Sequence, residues 1–375
     1  MTTGIWKRAT TLGAGLWFGQ LALAASIVVG QVAPLSGLDA NQGRSYSTGM
    51  QLYFNQVNKA GGAGGHTFTL ARKDSGGRGE EVVAATQQLL SEQRPLLLAG
   101  YFGSRAMSEL ASSKLLEKEK IPLVGFRSAE VQQDVPYIYH VRAGLKDEIG
   151  KIVTHLSTVG INRLGLFYEE GPGAAALIAA ADEAAQKAGA KVLVKASYAA
   201  GTARVESAVK AVTAAGPQAV ILVASGAASA ALIENYRSSG GAAQFFACSE
   251  VDAEQLAKRL ADEHMQGVSI AQVVPSPYKI SNRLSKEFND AVAKTQDLEV
   301  PVSYAMMEGY IAAKVIVEAA RRMGPKPSRE GLAAALDNLG SYDLGGYFVS
   351  FQPGQRAGSK YVDLSIISGG GRVRQ

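Results

Sequence analysis

The feature that most constrains this chain is a regular alternation. Short apolar runs rich in β-branched residues are each followed by a helix-length amphipathic segment. "SIVVGQVA" reads as a buried strand. Residues 43–60 carry apolar positions at helical spacing until "NKAGGAGG" stops them, and "HTFTLARKD" then alternates with period two. A helix "EEVVAATQQLLSE", a strand "PLLLAG", a helix "RAMSELASSKLLEKEK" and a strand "IPLVGF" follow. The pattern resumes at "RLGLFY", "AKVLVKASY", "QAVILVAS", "AQFFACS" and "GVSIAQVV", separated by Ala-rich helices. Parallel strands need a crossover long enough to hold a helix. The series therefore predicts an α/β fold of parallel sheets with helices on both faces.

The alternation falls into two runs, 26–142 and 146–273. "DVPYIYHVRAGLKDE" lies between them and "QVVPSPYK" follows the second, both with the Pro punctuation of a connection. After Pro277 come three helical stretches, 278–295, 303–324 and 328–338, then "YDLGGYFVSF" and "KYVDLSII". These are too few for a third domain and are expected to complete the two already present. One sheet holding every strand would be uncomfortably large for a twisted open sheet. With 375 residues, 47% of them hydrophobic, two domains can each bury a core.

Residues 1–25 read as a signal peptide. Lys7 and Arg8 precede the uncharged "TTLGAGLWFGQLALA", and Ala22-Leu23-Ala24 supplies the small-x-small cleavage pattern. A mature chain is expected to begin near Ala25 and to be soluble in the periplasm. The apolar run is short and rich in Gly and Thr for a membrane anchor, and no Cys follows it to carry a lipid. Cys248 is the one cysteine, so an exported chain has no internal disulfide and must rely on its core. The net charge of +5 falls to about +3 without Lys7 and Arg8, and the basic residues are interspersed with acids. No basic stripe points to nucleic acid.

Motifs for catalysis are missing. "GGAGGHTF" follows a helix and precedes a strand, the reverse of a dinucleotide fingerprint. His66, His140, His155 and His264 have no ligand spacing, so neither a metal nor a cofactor is expected. "VASGA" at 223–227 lacks the first Gly of a nucleophile elbow, and no P-loop is present. What recurs instead is a small or polar loop between a strand's carboxyl end and the next helix. The loops are "APLSGLD" (33–39, with Ser36), "GYFGSR" (100–105), "GFRSAE" (125–130), "FYEEGPG" (167–173), "VASGAAS" (223–229) and "ACSEVD" (247–252). Ligands of open α/β sheets bind outside the carboxyl ends of strands, where helix N-termini offer free N–H groups and a positive dipole end. Ser in such loops is also an ordinary helix cap. Six loops over two lobes favour a shared cleft.

The order of "IVVGQVAPLSG", "YFNQVNKAGG", "LLAGYFGS", "IPLVGF", "HVRAGLKDE", "RLGLFYEE", "AVILVAS", "GVSIAQVVPSP", "MEGYIAAKVIVEAARRMG" and "DLGGYFVSF…GSKYVDLSII" resembles the type I periplasmic binding proteins. It resembles more narrowly the branched-chain amino-acid (leucine/isoleucine/valine-binding) receptors of ABC importers. The resemblance implies two Rossmann-like lobes joined by three crossovers, with the first lobe at 26–143 plus 274–338 and the second at 144–273 plus 339–375. It implies hinges near Ala143, Pro275 and the segment before Asp343. It also implies no enzymatic activity, a monomer, a small amino acid or carboxylate as ligand, and a membrane permease as partner. The same fold serves ligand-sensing modules of membrane receptors, and a secreted hydrolase is the remaining alternative.

In the family the ligand's α-carboxylate is held by a Ser hydroxyl and N–H groups after the third strand. The matching residue is Ser104, surrounded by Tyr101, Phe102 and Gly103. The next loop supplies Arg127 and Ser128. In the second lobe Gly173 stands where an aromatic is usual, leaving Tyr168 as the nearest, and Ser225 stands at a second aromatic position. Glu250 in "CSEVD" matches the acid that meets the ligand's ammonium. The lost aromatic walls and Arg127 imply a larger or more polar pocket than a plain leucine site. Arg127 itself reads either as a ligand contact or as a surface arginine paired with Glu130 or Asp134.

Overall fold

The computed structural model describes Met1 and residues 25–37, 39–128, 135–368 and 372–374. The expected signal peptide, apart from Met1 and Ala25, lies outside these residues, as do Glu130 and Asp134. The first run builds β1 (Ala25–Ala33), α1 (Ala40–Lys59), β2 (His66–Asp74), α2 (Val82–Gln93) and β3 (Leu97–Phe102). It continues with α3 (Ser104–Ser112), α4 (Leu115–Glu119), β4 (Leu123–Arg127) and β5 (Ile138–Tyr139). Its sheet has the order β2-β1-β3-β4-β5 and is parallel throughout. The helix expected over "RAMSELASSKLLEKEK" is two helices. Lys114 takes a left-handed backbone at φ +53° between them, and the Ser113 hydroxyl accepts from the Leu115 N–H at 3.2 Å to start the second.

The second run builds α5 (Leu145–Thr158), β6 (Arg163–Glu169), α6 (Ala174–Lys187), β7 (Lys191–Tyr198), α7 (Glu206–Ala215) and β8 (Ala219–Val223). α8 (Gly226–Ser238), β9 (Gln244–Ala247), α9 (Ala253–Arg259), α10 (Asp262–Met265) and β10 (Val268–Gln272) follow. The chain then forms α11 (Arg283–Ala293), α12 (Tyr304–Met323), α13 (Arg329–Asp337), a hairpin of β11 (Gly340–Asp343) and β12 (Phe348–Phe351), β13 (Asp363–Ser368) and β14 (Arg372–Arg374). The second sheet runs β14-β13-β10-β9-β8-β6-β7, with β13 antiparallel to β10 and β14 antiparallel to β13 at one edge.

Each sheet separates two cores. Ile27, Val29, Leu97, Ala99 and Val124 face α1 and α12, while Leu98, Tyr101, Leu123 and Phe126 face α2, α3 and α4. In the second sheet Val220, Leu222 and Phe245 face α7 to α9, and Leu164, Leu166 and Ile221 face α5 and α6. Strands buried on both faces explain the unbroken apolar runs in the sequence. The hairpin at 340–351 departs from the expected second-lobe span of 339–375. Leu344, Tyr347, Val349 and Phe351 are buried in the core that α1 and α12 share, so it packs with the first sheet. Among the described residues of that span, β13 and β14 join the second sheet.

Candidate functional site

The carboxyl ends of the two sheets meet across the molecule. After β3 the backbone turns at Gly103, whose φ of +89° favours a residue without Cβ, and α3 starts at Ser104. The Gly103 N–H donates to the Arg127 carbonyl at 3.0 Å, tying this turn to the end of β4. The Ser104 hydroxyl donates to Glu250 Oε1 at 2.9 Å, from one sheet's end to the other's. It also lies 2.9 Å from the Ser128 hydroxyl. A carboxylate only accepts and a hydroxyl has one proton, so with Ser104 donating to Glu250, Ser128 donates to Ser104. Ser128 is fully buried, and Ser104 and Glu250 are half-buried.

The other expected residues are placed differently. Tyr101 is fully buried, its hydroxyl 2.9 Å from that of Thr86, so it packs under α2 and does not wall the cleft. Phe102 is half-buried at the end of β3. Ser36 is exposed, and its hydroxyl bonds Asp74, as do the N–H groups of Leu35 and Gly76. Ser225 is exposed and caps α8, accepting from the Ala228 N–H at 3.2 Å. The Ser225 N–H donates to the Tyr198 hydroxyl at 2.9 Å, which donates to Glu169 Oε2 at 2.7 Å. Tyr168 is half-buried against the core under α5 and α6. A groove of about 470 Å³ lies between α5 and α6, lined by residues such as Lys146, Thr154 and Lys187, and shares no residue with this gathering.

Arg127 is the main correction. It is 3% exposed, so it is no surface arginine, and its nitrogens are held by the protein. Nε donates to Gln42 of α1, Nη1 to Glu308 of α12, and Nη2 to the Ser249 carbonyl at 2.8 Å. Arg142, at the first crossover, extends the network. Its Nη1 reaches Glu308 Oε2 at 3.3 Å, and its Nη2 reaches Glu148 Oε1 at 2.9 Å and the Ser249 hydroxyl. Glu148 also accepts the Ser249 N–H at 2.7 Å and hydroxyl at 2.8 Å. Burial opposes the charge on Arg142, but Glu308 and Glu148 outweigh it and hold its pKa above the ordinary value. Burial pushes the Glu148 carboxyl upward against the pull of Arg142 and Ser249. The Glu250 carboxylate adds to the upward push, while the hydrogen bonds that Glu148 makes with Arg142 and Ser249 are all ones it accepts. Sequence reasoning missed Gln42, Arg142, Glu148, Ser249 and Glu308. A signal existed for Glu308, a lone acid inside the apolar "YAMMEGYIAAKVIV".

A second acidic gathering lies nearby. Asp252 caps α9, accepting from the Gln255 N–H at 2.9 Å. Glu254 Oε1 accepts from the Tyr278 hydroxyl at 2.5 Å and the Tyr304 N–H at 3.1 Å. Burial, then the neighbouring Asp252, pushes the Glu254 carboxyl up to about 7. Burial and Asp252 likewise raise Asp39, next to the start of α1. Among the described residues no group of three or more His, Cys, Asp or Glu could hold a metal ion. Burial pushes the Cys248 thiol well above its ordinary value.

The comparisons with known proteins agree with this architecture. No curated protein matches the sequence. A substrate-binding periplasmic protein from Ralstonia solanacearum is 34% identical, with 92% of this chain and 99% of that one covered at a TM-score of 0.85. An extracellular ligand-binding receptor from Verminephrobacter eiseniae is 29% identical, with 94% and 100% covered at a TM-score of 0.84. A possible leucine/isoleucine/valine-binding protein from Rhodopirellula baltica, 24% identical, shares the fold at a TM-score of 0.86 over 95% of this chain and 98% of that one. Among the described residues no helix is long and apolar enough to cross a membrane. The periplasmic binding protein profile matches residues 26–369, and with two α/β sheets meeting at their carboxyl ends, the chain belongs to the type I periplasmic binding protein family.

Proposed function

We propose that this solute-binding protein of ABC-transporter type traps an amino acid or a closely related small carboxylate between its lobes and delivers it to a membrane permease. The observation that carries the reading is the meeting of Ser104, Ser128 and Glu250. Two hydroxyls beside the N-terminus of α3 suit a carboxylate, and an acid on the facing side suits an ammonium. In this reading the ligand replaces the direct Ser104–Glu250 bond: its carboxylate takes the Ser104 and Ser128 protons and its ammonium takes Glu250. A ligand stabilises the closed state only through contacts it adds there, so groups on both walls are what closure requires. Export by the segment at 1–25 and action in the periplasm complete the proposal.

Titration calorimetry with L-leucine as probe tests it. Ser104→Ala is expected to weaken binding about tenfold or more with the fold intact, the loss of one charge-assisted hydrogen bond. Unchanged affinity would sink the carboxylate assignment. Glu250→Gln is expected to weaken L-leucine while leaving 4-methylpentanoate, which has no ammonium, unaffected. If the wild type binds both equally well, Glu250 has no such role and an organic-acid ligand is favoured.

A further inference from the structure

We propose that Arg127 is a positioning residue: by holding the Ser249 carbonyl from the opposite lobe, it sets where Glu250 stands relative to Ser104 and Ser128. The proposal rests on reading those three residues as the ligand site. Arg127 ends β4 and is the peptide neighbour of Ser128, and Ser249 is the peptide neighbour of Glu250. The 2.8 Å bond from Nη2 to the Ser249 carbonyl therefore joins the two backbone units that carry opposite walls of the site.

Both ends of this bond are rigid. On the first-lobe side, Gln42 of α1 and Glu308 of α12 take the other guanidinium nitrogens, so the planar fork cannot swing to follow its partner. On the second-lobe side, Ser249 is fixed by the bonds of its N–H and hydroxyl to Glu148. Burial keeps water from competing, so the direction of the bond counts. Glu308 already answers the charge of Arg127 within the first lobe. What closure adds at Arg127 is one directed bond from a cation to a neutral carbonyl. That bond is a registration contact for Glu250, distinct from the ion pairs that stabilise the fold.

Arg127→Lys separates the two roles. An ammonium keeps the charge against Glu308 but cannot present three rigid donors to three elements. Gln42→Leu is the milder second variant, removing one of the contacts that aim the fork. Distances between spin labels on exposed Lys118 and Gln186, one in each lobe, are measured without ligand by pulsed electron resonance. Arg127→Lys is expected to lower the closed-to-open ratio about tenfold, and Gln42→Leu less, in protein that still unfolds cooperatively. L-leucine affinity should fall in the same order. Unchanged distance distributions in folded Arg127→Lys, or in Gln42→Leu if the first variant does not fold, overturn the proposal. Widening supports it even if the wild type does not bind L-leucine, since that failure counts against the ligand class alone.

Discussion

Glu254 carries a pH signature with a definite sign. An unfolded glutamate titrates near 4.5, and in the fold burial and Asp252 move Glu254 up to about 7. Between those values the native state binds a proton that the unfolded chain has lost. Its contribution to stability is therefore fully present below about 4.5, declines as pH rises through the window, and is gone above about 7. Glu254→Gln keeps an acceptor for the Tyr278 hydroxyl and the Tyr304 N–H and adds a donor for Asp252. Calorimetric unfolding should show the variant matching wild type near pH 5 and more stable than wild type at pH 8. An equal pH slope in the two proteins would place the titration elsewhere. Of the residues singled out from sequence, Ser104, Ser128 and Glu250 meet because each sits in a loop whose position follows from the strand before it. The surface reading of Arg127 fails because its partner Glu308 lies 181 residues away, a pairing that no local pattern encodes.

At the scale of elements, α1 and α12 pack backbone to backbone where each carries a glycine. A Cβ on Gly49 would stand 1.9 Å from the Met306 carbonyl oxygen, and one on Gly309 would stand 2.0 Å from that of Tyr46. Both neighbours are backbone in a packed core, so neither can yield as a flexible side chain would. Alanine is the better helix former by about 1 kcal/mol, but the overlap forces the helices apart. Gly309→Ala should therefore destabilise, by about 1–3 kcal/mol, lowering the urea midpoint with little change in slope. A stabilised variant would mean that the two helices are not in this close contact. Strands and long helices were legible because their periodicity is local. The break at Lys114 was not, since neither Gly nor Pro marks it. Nor was the antiparallel sense of β13, because a strand's direction depends on the chain's route and leaves no trace in its own residues.

At the scale of the whole molecule, the two sheets were legible as two runs of strand–helix units, whereas the routes of the crossovers were set by packing between distant segments. The hairpin shows this most clearly: its apolar residues suit either lobe, and their burial beside α1 and α12 decides the matter. Its Tyr347 also fastens the connections themselves. This fully buried hydroxyl lies 2.9 Å from the Val141 carbonyl of the first crossover and 3.1 Å from the Val273 carbonyl at the start of the second. Close by, His140 and the third connection exchange backbone bonds, from the His140 N–H to the Arg356 carbonyl at 2.8 Å and from the Gly358 N–H to the His140 carbonyl at 2.7 Å. One proton shared between two carbonyls ties the first two connections to the hairpin, and the backbone bonds at His140 bring in the third. Tyr347→Phe keeps the ring in its core and removes the hydroxyl, leaving two buried carbonyls short of a donor and the Ser359 hydroxyl short of an acceptor. The cost should be about 1–2 kcal/mol. If this point lies on the hinge, loosening it also frees the lobes, so the labelled pair used for Arg127 should report a broader distance distribution in Tyr347→Phe with the mean little changed. A lower unfolding midpoint with an unaltered distribution would make the hydroxyl a core contact and no part of the hinge.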